Sequence, residues 1–244
     1  MLAATQVPAA RNKSQLYTSN KRQTWSELRR RPMAILLYCI AKGDVATGSL
    51  TGVAGDPILR VELGTLAVFT SSNTDKSSWL RPQLQTSALE FHRVLREIFK
   101  STAIIPFRFP TIFDYEGQLI ERLRERAREY TVLLGKFGEL VQMEIRITNP
   151  DLKKPVESGT QYLKVRQTAT AMIEKFATEL HAALSALLQD WRQRPSKDGV
   201  RVFALIDRNQ VTNFRTMMGN TPVPLGLSVR VSGPWPVSEF IEQS

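Results

Sequence analysis

An unbroken apolar run at residues 33–41 is the feature that most restricts how this chain can fold. Its nine residues are too few to cross a bilayer, which takes about 20, and Lys42 ends the run. A short continuous run of this kind is typical of a strand that is covered on both faces. Residues 63–69, which read LGTLAVF, are interpreted as a second such strand. The first part of the chain is therefore predicted to contain a buried sheet.

Strands and a helix follow each other between residues 33 and 113. Residues 58–62 are read as a short strand, after a glycine-containing loop. Apolar side chains then recur every three or four positions from residue 88 to residue 99, which predicts an amphipathic helix. Residues 102–109 return to extended apolar character, and their prolines restrict them to an edge or the end of a strand. We predict an N-terminal α+β domain over residues 33–113.

The second half of the chain contains one very long helical pattern. Residues 114–135 and 159–194 both carry apolar side chains at helical spacing. The second pattern would be about 54 Å long at 1.5 Å per residue. Because a small sheet cannot cover a helix of that length, one end is predicted to project. Between the two helices, residues 141–147 alternate apolar and polar side chains, which is typical of a strand with one face in solvent.

Three further elements complete the predicted fold. They are a strand at residues 200–207, a helix at 210–218 and a final strand at 225–231. The resulting β-α-β-α-β order, with one strand still unassigned, favours a ferredoxin-like sheet with its helices on one face. The predicted fold class is α+β, with two domains. The second is a C-terminal ferredoxin-like domain, residues 114–244, with long extended helices at residues 114–135 and 159–194.

Most of the positive charge lies before the first strand. The chain carries a net charge of +10, and residues 1–32 hold seven basic side chains and one acidic one, or +6 of that total. This segment has few large apolar residues, so it is predicted to be a basic flexible extension. A transit-like peptide, an export signal and a tether to an anionic surface remain alternatives for it. The rest of the chain has the interleaved charges of an ordinary surface.

Residues suited to catalysis or metal binding are scarce. Cys39 is the single cysteine, and His92 and His181 are the two histidines, so a zinc site of the usual Cys/His kind would need ligands from another chain. Cys39 lies in a buried strand pattern, and both histidines lie in amphipathic helices away from any evident nucleophile. The glycines lack the spacing of a phosphate-binding loop. We predict no enzyme activity, no cofactor and no metal, in a reducing cytosolic setting.

Three stretches resemble a known family. They read FHRVLREIF at 91–99 leading to IPFRFPTIF at 105–113, SGTQYL at 158–163, and VSGPWPVSEF at 231–240. In this order and spacing they resemble the gas vesicle protein family GvpF/GvpL, whose members have a "P-x-R-F-G-T-x-F" strand, an "S-G-x-x-Y-L" helix start and a "G-P-W-P-P-Y-x-F" ending. Pro110 stands where the family has glycine, and Val237 and Ser238 replace Pro-Tyr.

The resemblance implies a non-enzymatic accessory or minor structural protein of gas vesicles, the gas-filled protein shells inside prokaryotic cells. Its partners would be the small hydrophobic major shell protein and other accessory vesicle proteins, in the cytoplasm and without a membrane. The apolar stripe of the 159–194 helix is a candidate contact for the shell protein. Its proposed contact residues are Phe176, Leu180, Leu187 and Trp191. A nucleic-acid-binding module that uses residues 1–32 is the alternative function.

Overall fold

The computed structural model describes residues 33–43, 50–73, 75, 77–80, 84–153 and 158–241. The predicted basic extension, residues 1–32, lies outside them. The first half contains β1 (Ala34–Lys42), β2 (Leu59–Leu63), β3 (Leu66–Asn73), α1 (Ser77–Leu80), α2 (Leu84–Ser101), β4 (Ile104–Pro106) and β5 (Ile112–Phe113). The second half contains α3 (Glu116–Lys136), β6 (Leu140–Thr148), α4 (Gly159–Leu184), β7 (Leu188–Ser196), β8 (Gly199–Asp207), α5 (Val211–Asn220) and β9 (Ser228–Trp235).

The apolar run at residues 33–41 forms β1, the central strand of the first sheet. The strands lie in the order β2-β3-β1-β4, with β5 also paired to β1, and every pair is antiparallel. Leu36 and Tyr38 face the core that contains α2, whereas Ile35 and Leu37 face the core that contains α3. All four are buried. The prediction of a strand covered on both faces is confirmed.

Helices α2 and α3 cover the two faces of this sheet. The apolar face of α2 is buried, and the Phe91 ring stacks on the Tyr38 ring with their centroids 4.7 Å apart. Helix α3 buries Leu119, Leu123 and Tyr130 against the opposite face. The sequence assigned the 114–135 helix to the C-terminal domain, but its apolar face packs on the first sheet.

The second sheet has its strands in the order β7-β8-β6-β9, and all of its pairs are antiparallel. Helices α4 and α5 cover one face, where Phe176 and Phe214 pack among the apolar side chains of β6 and β8. The observed order of elements is β-α-β-β-α-β. The sequence therefore missed one strand, and the predicted mixture of helices and sheets is confirmed.

The missing strand lies inside the segment predicted to be helical. The prediction of one helix over residues 159–194 is wrong, because α4 ends at Leu184 and a short 3-10 turn, Ser185–Leu187, leads into β7. Leu184, Leu187 and Trp191 keep helical spacing by coincidence, since they point into the same core from three different elements. The backbone of β7 forms antiparallel hydrogen bonds with the backbone of β8, which follows it after a tight turn.

Arg208 and the C-terminal segment, residues 236–241, connect the two halves. The Arg208 guanidinium donates from Nη1 to the carbonyl oxygen of Phe99 at 3.0 Å and lies 4.4 Å from the centroid of the Phe99 ring. Burial lowers the pKa of this guanidinium. Further along, Phe240 packs against Phe137 and Phe203 on the face of the second sheet that lies opposite α4 and α5. The next residue, Ile241, packs against the cluster that holds Ile35 and Leu37 of the first sheet, so the C-terminal segment contacts both halves.

Candidate interaction surfaces

The four residues predicted to contact a shell protein belong largely to the core. Phe176 is 2% exposed and Leu180 is 0% exposed, and both pack beneath the second sheet. Leu187 and Trp191 are half-buried against the same cluster. The four side chains do lie in one cluster, but they reach it from three elements and not from one helical stripe. The cluster is covered by the protein's own sheet, because β7 turns back and pairs with β8.

The beginning of α4 extends beyond the part of the helix that packs on the sheet. The helix starts at an N-cap, where the Ser158 hydroxyl accepts a hydrogen bond from the backbone N–H of Gln161 at 3.2 Å. Described side chains between residues 158 and 168 are exposed, apart from the half-buried Val165. Leu163 is 65% exposed. About 15 Å of helix therefore presents its surface to solvent before the packed region begins at Ala169.

The residues considered for chemistry are dispersed. Cys39 is fully buried in β1, and burial raises the pKa of its thiol. His92 lies on α2 beside Phe91, and His181 lies on α4 with its ring centroid 5.2 Å from that of Trp191. Among the described residues, no three His, Cys, Asp or Glu side chains are close enough together to hold a metal ion. Within the same part of the chain, no helix has the length and hydropathy needed to span a membrane.

A polar cluster beneath residues 50–58 was not predicted from the sequence. The Asp56 carboxylate accepts from Trp79 Nε1 at 2.7 Å and from Asn73 Nδ2 at 3.0 Å. In the same region, the Tyr38 hydroxyl accepts from the backbone N–H of Val53 at 2.9 Å. These bonds hold the loop against the first sheet. The turn-forming Asp56-Pro57 pair was the only sequence signal for it, because the partners lie 17 to 23 residues away.

The buried Tyr38 hydroxyl is expected to make the free energy of unfolding depend on pH. Desolvation raises the pKa of its hydroxyl, although the hydrogen bonds with Ser71 and Val53 lower it in part. The folded pKa therefore lies above the unfolded value of about 10, so the stability that Tyr38 contributes is complete below that pH and is lost as the pH rises through the folded pKa. We expect the free energy of unfolding to fall above pH of about 10, and Tyr38→Phe to make that fall shallower.

Denaturant titrations from pH 8 to pH 11 would measure the slope. At neutral pH, Tyr38→Phe should cost about 1–2 kcal/mol, because the buried N–H of Val53 loses its acceptor. Part of the alkaline slope should remain in the variant, since burial also raises the pKa of Tyr130. If the slope of the variant equalled that of the wild type, Tyr38 would ionise as readily in the folded protein as in the unfolded chain.

A groove of about 230 Å³ lies between β4, α3 and the C-terminal segment. Its walls are mostly apolar and include Phe107, Tyr130 and Ile241. Of the three charged residues of the wall, Arg126 and Glu129 bind each other, with Nη2 and Oε1 2.6 Å apart. This hydrogen bond lowers the pKa of the Glu129 carboxyl. These two charges neutralise each other, and the third charged residue is Arg108, so the groove offers mainly an apolar surface with one positive charge.

The face of the second sheet opposite α4 and α5 carries a row of four arginines beside the part that Phe240 covers. Arg194 lies opposite Arg201, Arg201 opposite Arg146, and Arg146 opposite Arg230, so the row crosses all four strands. Adjacent strands are 4.7–4.9 Å apart, which gives the row a length of about 14 Å. The side chains of Arg146, Arg194 and Arg201 are 52%, 59% and 40% exposed, and Arg230 is also exposed. We call these four residues the arginine row.

Two carboxylates border the arginine row. Glu144 Oε1 lies 2.8 Å from Nε of Arg201 and 3.8 Å from Nη2 of Arg146. The hydrogen bond with Glu144 raises the pKa of Arg201. Glu239 Oε2 lies 3.5 Å from Nε of Arg194. Two negative charges therefore oppose four positive ones, and the row keeps an excess of positive charge. The sequence shows the four arginines but not the strand register that aligns them.

Comparisons with known proteins agree with the fold. A family model described as "Gas vesicle synthesis protein GvpL/GvpF" matches residues 34–242. The chain is similar to the crystal structure of the gas vesicle protein GvpF from Anabaena sp. PCC7120, with a TM-score of 0.71 and 13% identity over 87% of this chain and 97% of that chain. It is also similar to gas vesicle protein GvpF from Microcystis aeruginosa, with a TM-score of 0.64 and 13% identity over 81% of this chain and 94% of that one. Among curated proteins, no match to the chain is found.

Proposed function

Because the chain belongs to the GvpL/GvpF family of gas vesicle synthesis proteins, we propose that it is a non-enzymatic accessory or minor structural protein of gas vesicles. It acts in the cytoplasm, where it binds the small hydrophobic shell protein and supports vesicle assembly together with other accessory vesicle proteins. The observation that carries this proposal is the family match over residues 34–242, which includes nearly every described residue.

Removing the protein from cells that make gas vesicles tests its role. We expect such cells to form few or no vesicles and to lose buoyancy, and we expect the intact chain to restore both when it is supplied again. Vesicle number by electron microscopy and flotation of the culture are the measurements. Cells that lack the protein and float normally, with vesicles of normal number and shape, would contradict the proposal.

The shell-protein contact is better placed at the start of α4 than at the buried residues of its packed part. Phe176 and Leu180 have almost no surface to offer unless α4 leaves the sheet. Leu163, in contrast, is exposed on a segment with solvent on most sides. A small hydrophobic subunit needs apolar surface that is accessible in the folded protein. We therefore place its contact at residues 159–168.

Leu163→Glu tests this contact. The side chain is 65% exposed, so the substitution should change the free energy of unfolding by no more than about 0.5 kcal/mol. If Leu163 is buried on binding, replacing it with a charge should weaken capture of the shell protein by about tenfold or more. Val132→Glu on α3 is the matched control, because Val132 is 62% exposed. Equal capture by both variants in a pull-down would exclude this contact.

A further inference from the structure

The arginine row violates the usual pairing rule of antiparallel sheets. Directly opposed residues on one face have Cβ atoms about 4.5–5.5 Å apart, and like charges at that distance are destabilising. Here three successive cross-strand pairs, Arg194–Arg201, Arg201–Arg146 and Arg146–Arg230, are all of like charge. Glu144 and Glu239 relieve this repulsion only in part. A feature that costs stability in the isolated protein is explained if a partner of opposite charge covers it.

We infer that the arginine row is a docking site for an acidic segment of a partner protein. The row presents guanidinium groups, which bind carboxylates through paired hydrogen bonds. Arg201 already donates one charge-assisted hydrogen bond, from Nε to Oε1 of Glu144 at 2.8 Å. Carboxylates on one face of a helix, three or four residues apart, are spaced by about 5–6 Å. That spacing is close to the distance between neighbouring strands, so an acidic helix can lie along the row.

The surroundings of the row favour protein carboxylates over nucleic acid. A sheet that binds single-stranded nucleic acid uses exposed aromatic rings on which the bases stack. The exposed Trp235 lies on the same face but opposite Gln142, four residues along β6 from Arg146. The aromatic residue beside the row itself, Phe203, is only 1% exposed. The Arg201 guanidinium lies 5.0 Å from the centroid of its ring, and Phe240 packs against it. Glu144 and Glu239 would also repel a closely spaced series of phosphates.

Binding of a defined acidic peptide tests the inference. The probe is a fluorescent helical peptide of alanine and glutamate, with glutamates four residues apart, and its binding to the full chain is followed by anisotropy. We expect the affinity to fall as salt rises, because the contact is electrostatic. The triple variant Arg146→Gln, Arg194→Gln, Arg230→Gln should bind the peptide about tenfold more weakly, or worse. Arg230→Gln alone should show part of that loss.

A matched control separates the row from the overall charge. The variant Arg124→Gln, Arg128→Gln, Lys175→Gln removes the same charge from exposed positions on α3 and α4 and should keep the wild-type affinity. Because the row repels itself, its triple variant should melt no lower than the wild type. The outcome of the peptide-binding assay does not depend on the proposed vesicle function, since that assay uses no vesicle component.

Several results would overturn the inference. One is an equal loss of affinity in both triple variants, and another is wild-type protein that does not bind the peptide at low salt. Binding that survives loss of the row would place the contact elsewhere, for example in residues 1–32. A single-stranded oligonucleotide of equal charge that binds more tightly than the peptide, and depends on the same arginines, would identify nucleic acid as the occupant instead.

Discussion

Replacing Phe176 with alanine is expected to lower the free energy of unfolding by about 3–5 kcal/mol, because the change leaves a cavity in a packed core. The side chain is 2% exposed and lies between α4 and the second sheet, in the cluster that also holds Leu180. A domain is stable by about 5–15 kcal/mol, so the loss would be a large share of the total. Denaturant unfolding at neutral pH, with the midpoint and slope fitted separately, would measure it.

Leu163→Ala is the matched control for this experiment, since it shortens an exposed apolar side chain on the same helix. It should change the free energy of unfolding by no more than about 0.5 kcal/mol. A Phe176→Ala variant that is as stable as the wild type but no longer captures the shell protein would mean that this residue acts at a surface. That outcome would restore the contact predicted from the sequence and contradict the packing of α4.

The sequence predicted those elements whose pattern comes from burial alone. The run at residues 33–41 is apolar because both of its faces are covered, so it identified β1 without knowledge of its neighbours. The alternation at residues 141–147 identified β6 because only one face is buried beneath helices. The resemblance to the GvpF/GvpL family is confirmed by the family match over residues 34–242.

Features that depend on strand pairing could not be predicted. Leu187 and Trp191 continue the apolar spacing of α4, and only the pairing of β7 with β8 shows that they lie beyond the helix. The same limit applies to the arginine row. Arg146 and Arg230 are 84 positions apart in the chain, and only the register of β6 and β9 places them opposite each other. The positions of Leu187 and Trp191 beyond the helix and the alignment of the arginine row could therefore be found only from the structure, although the sequence shows all of these residues.

The tight turn between β7 and β8 places Gly199 against the backbone of β6. Gly199 begins β8 and lies opposite Thr148 of β6. A Cβ atom at Gly199 would overlap the carbonyl oxygen of Ile147 and would lie 2.9 Å from Cα of Thr148. Both obstacles are backbone atoms of a central strand, so they cannot move aside as a flexible side chain would. Gly199→Ala is therefore expected to force β6 and β8 apart at this end of the sheet.

We expect Gly199→Ala to lower the free energy of unfolding by about 2–4 kcal/mol, within the range seen for overpacked sites and displaced backbone. Gly219→Ala is the matched control, because a Cβ atom there would meet nothing within 4 Å and the residue lies in helix α5. Alanine suits a helix better than glycine, so the control should be more stable by about 0.4–1 kcal/mol. The melting temperature of Gly199→Ala should thus lie below that of the wild type, and that of Gly219→Ala should lie above it. If Gly199→Ala melted with the wild type, the close approach of β8 to β6 would be wrong, and with it the alignment of Arg201 with Arg146.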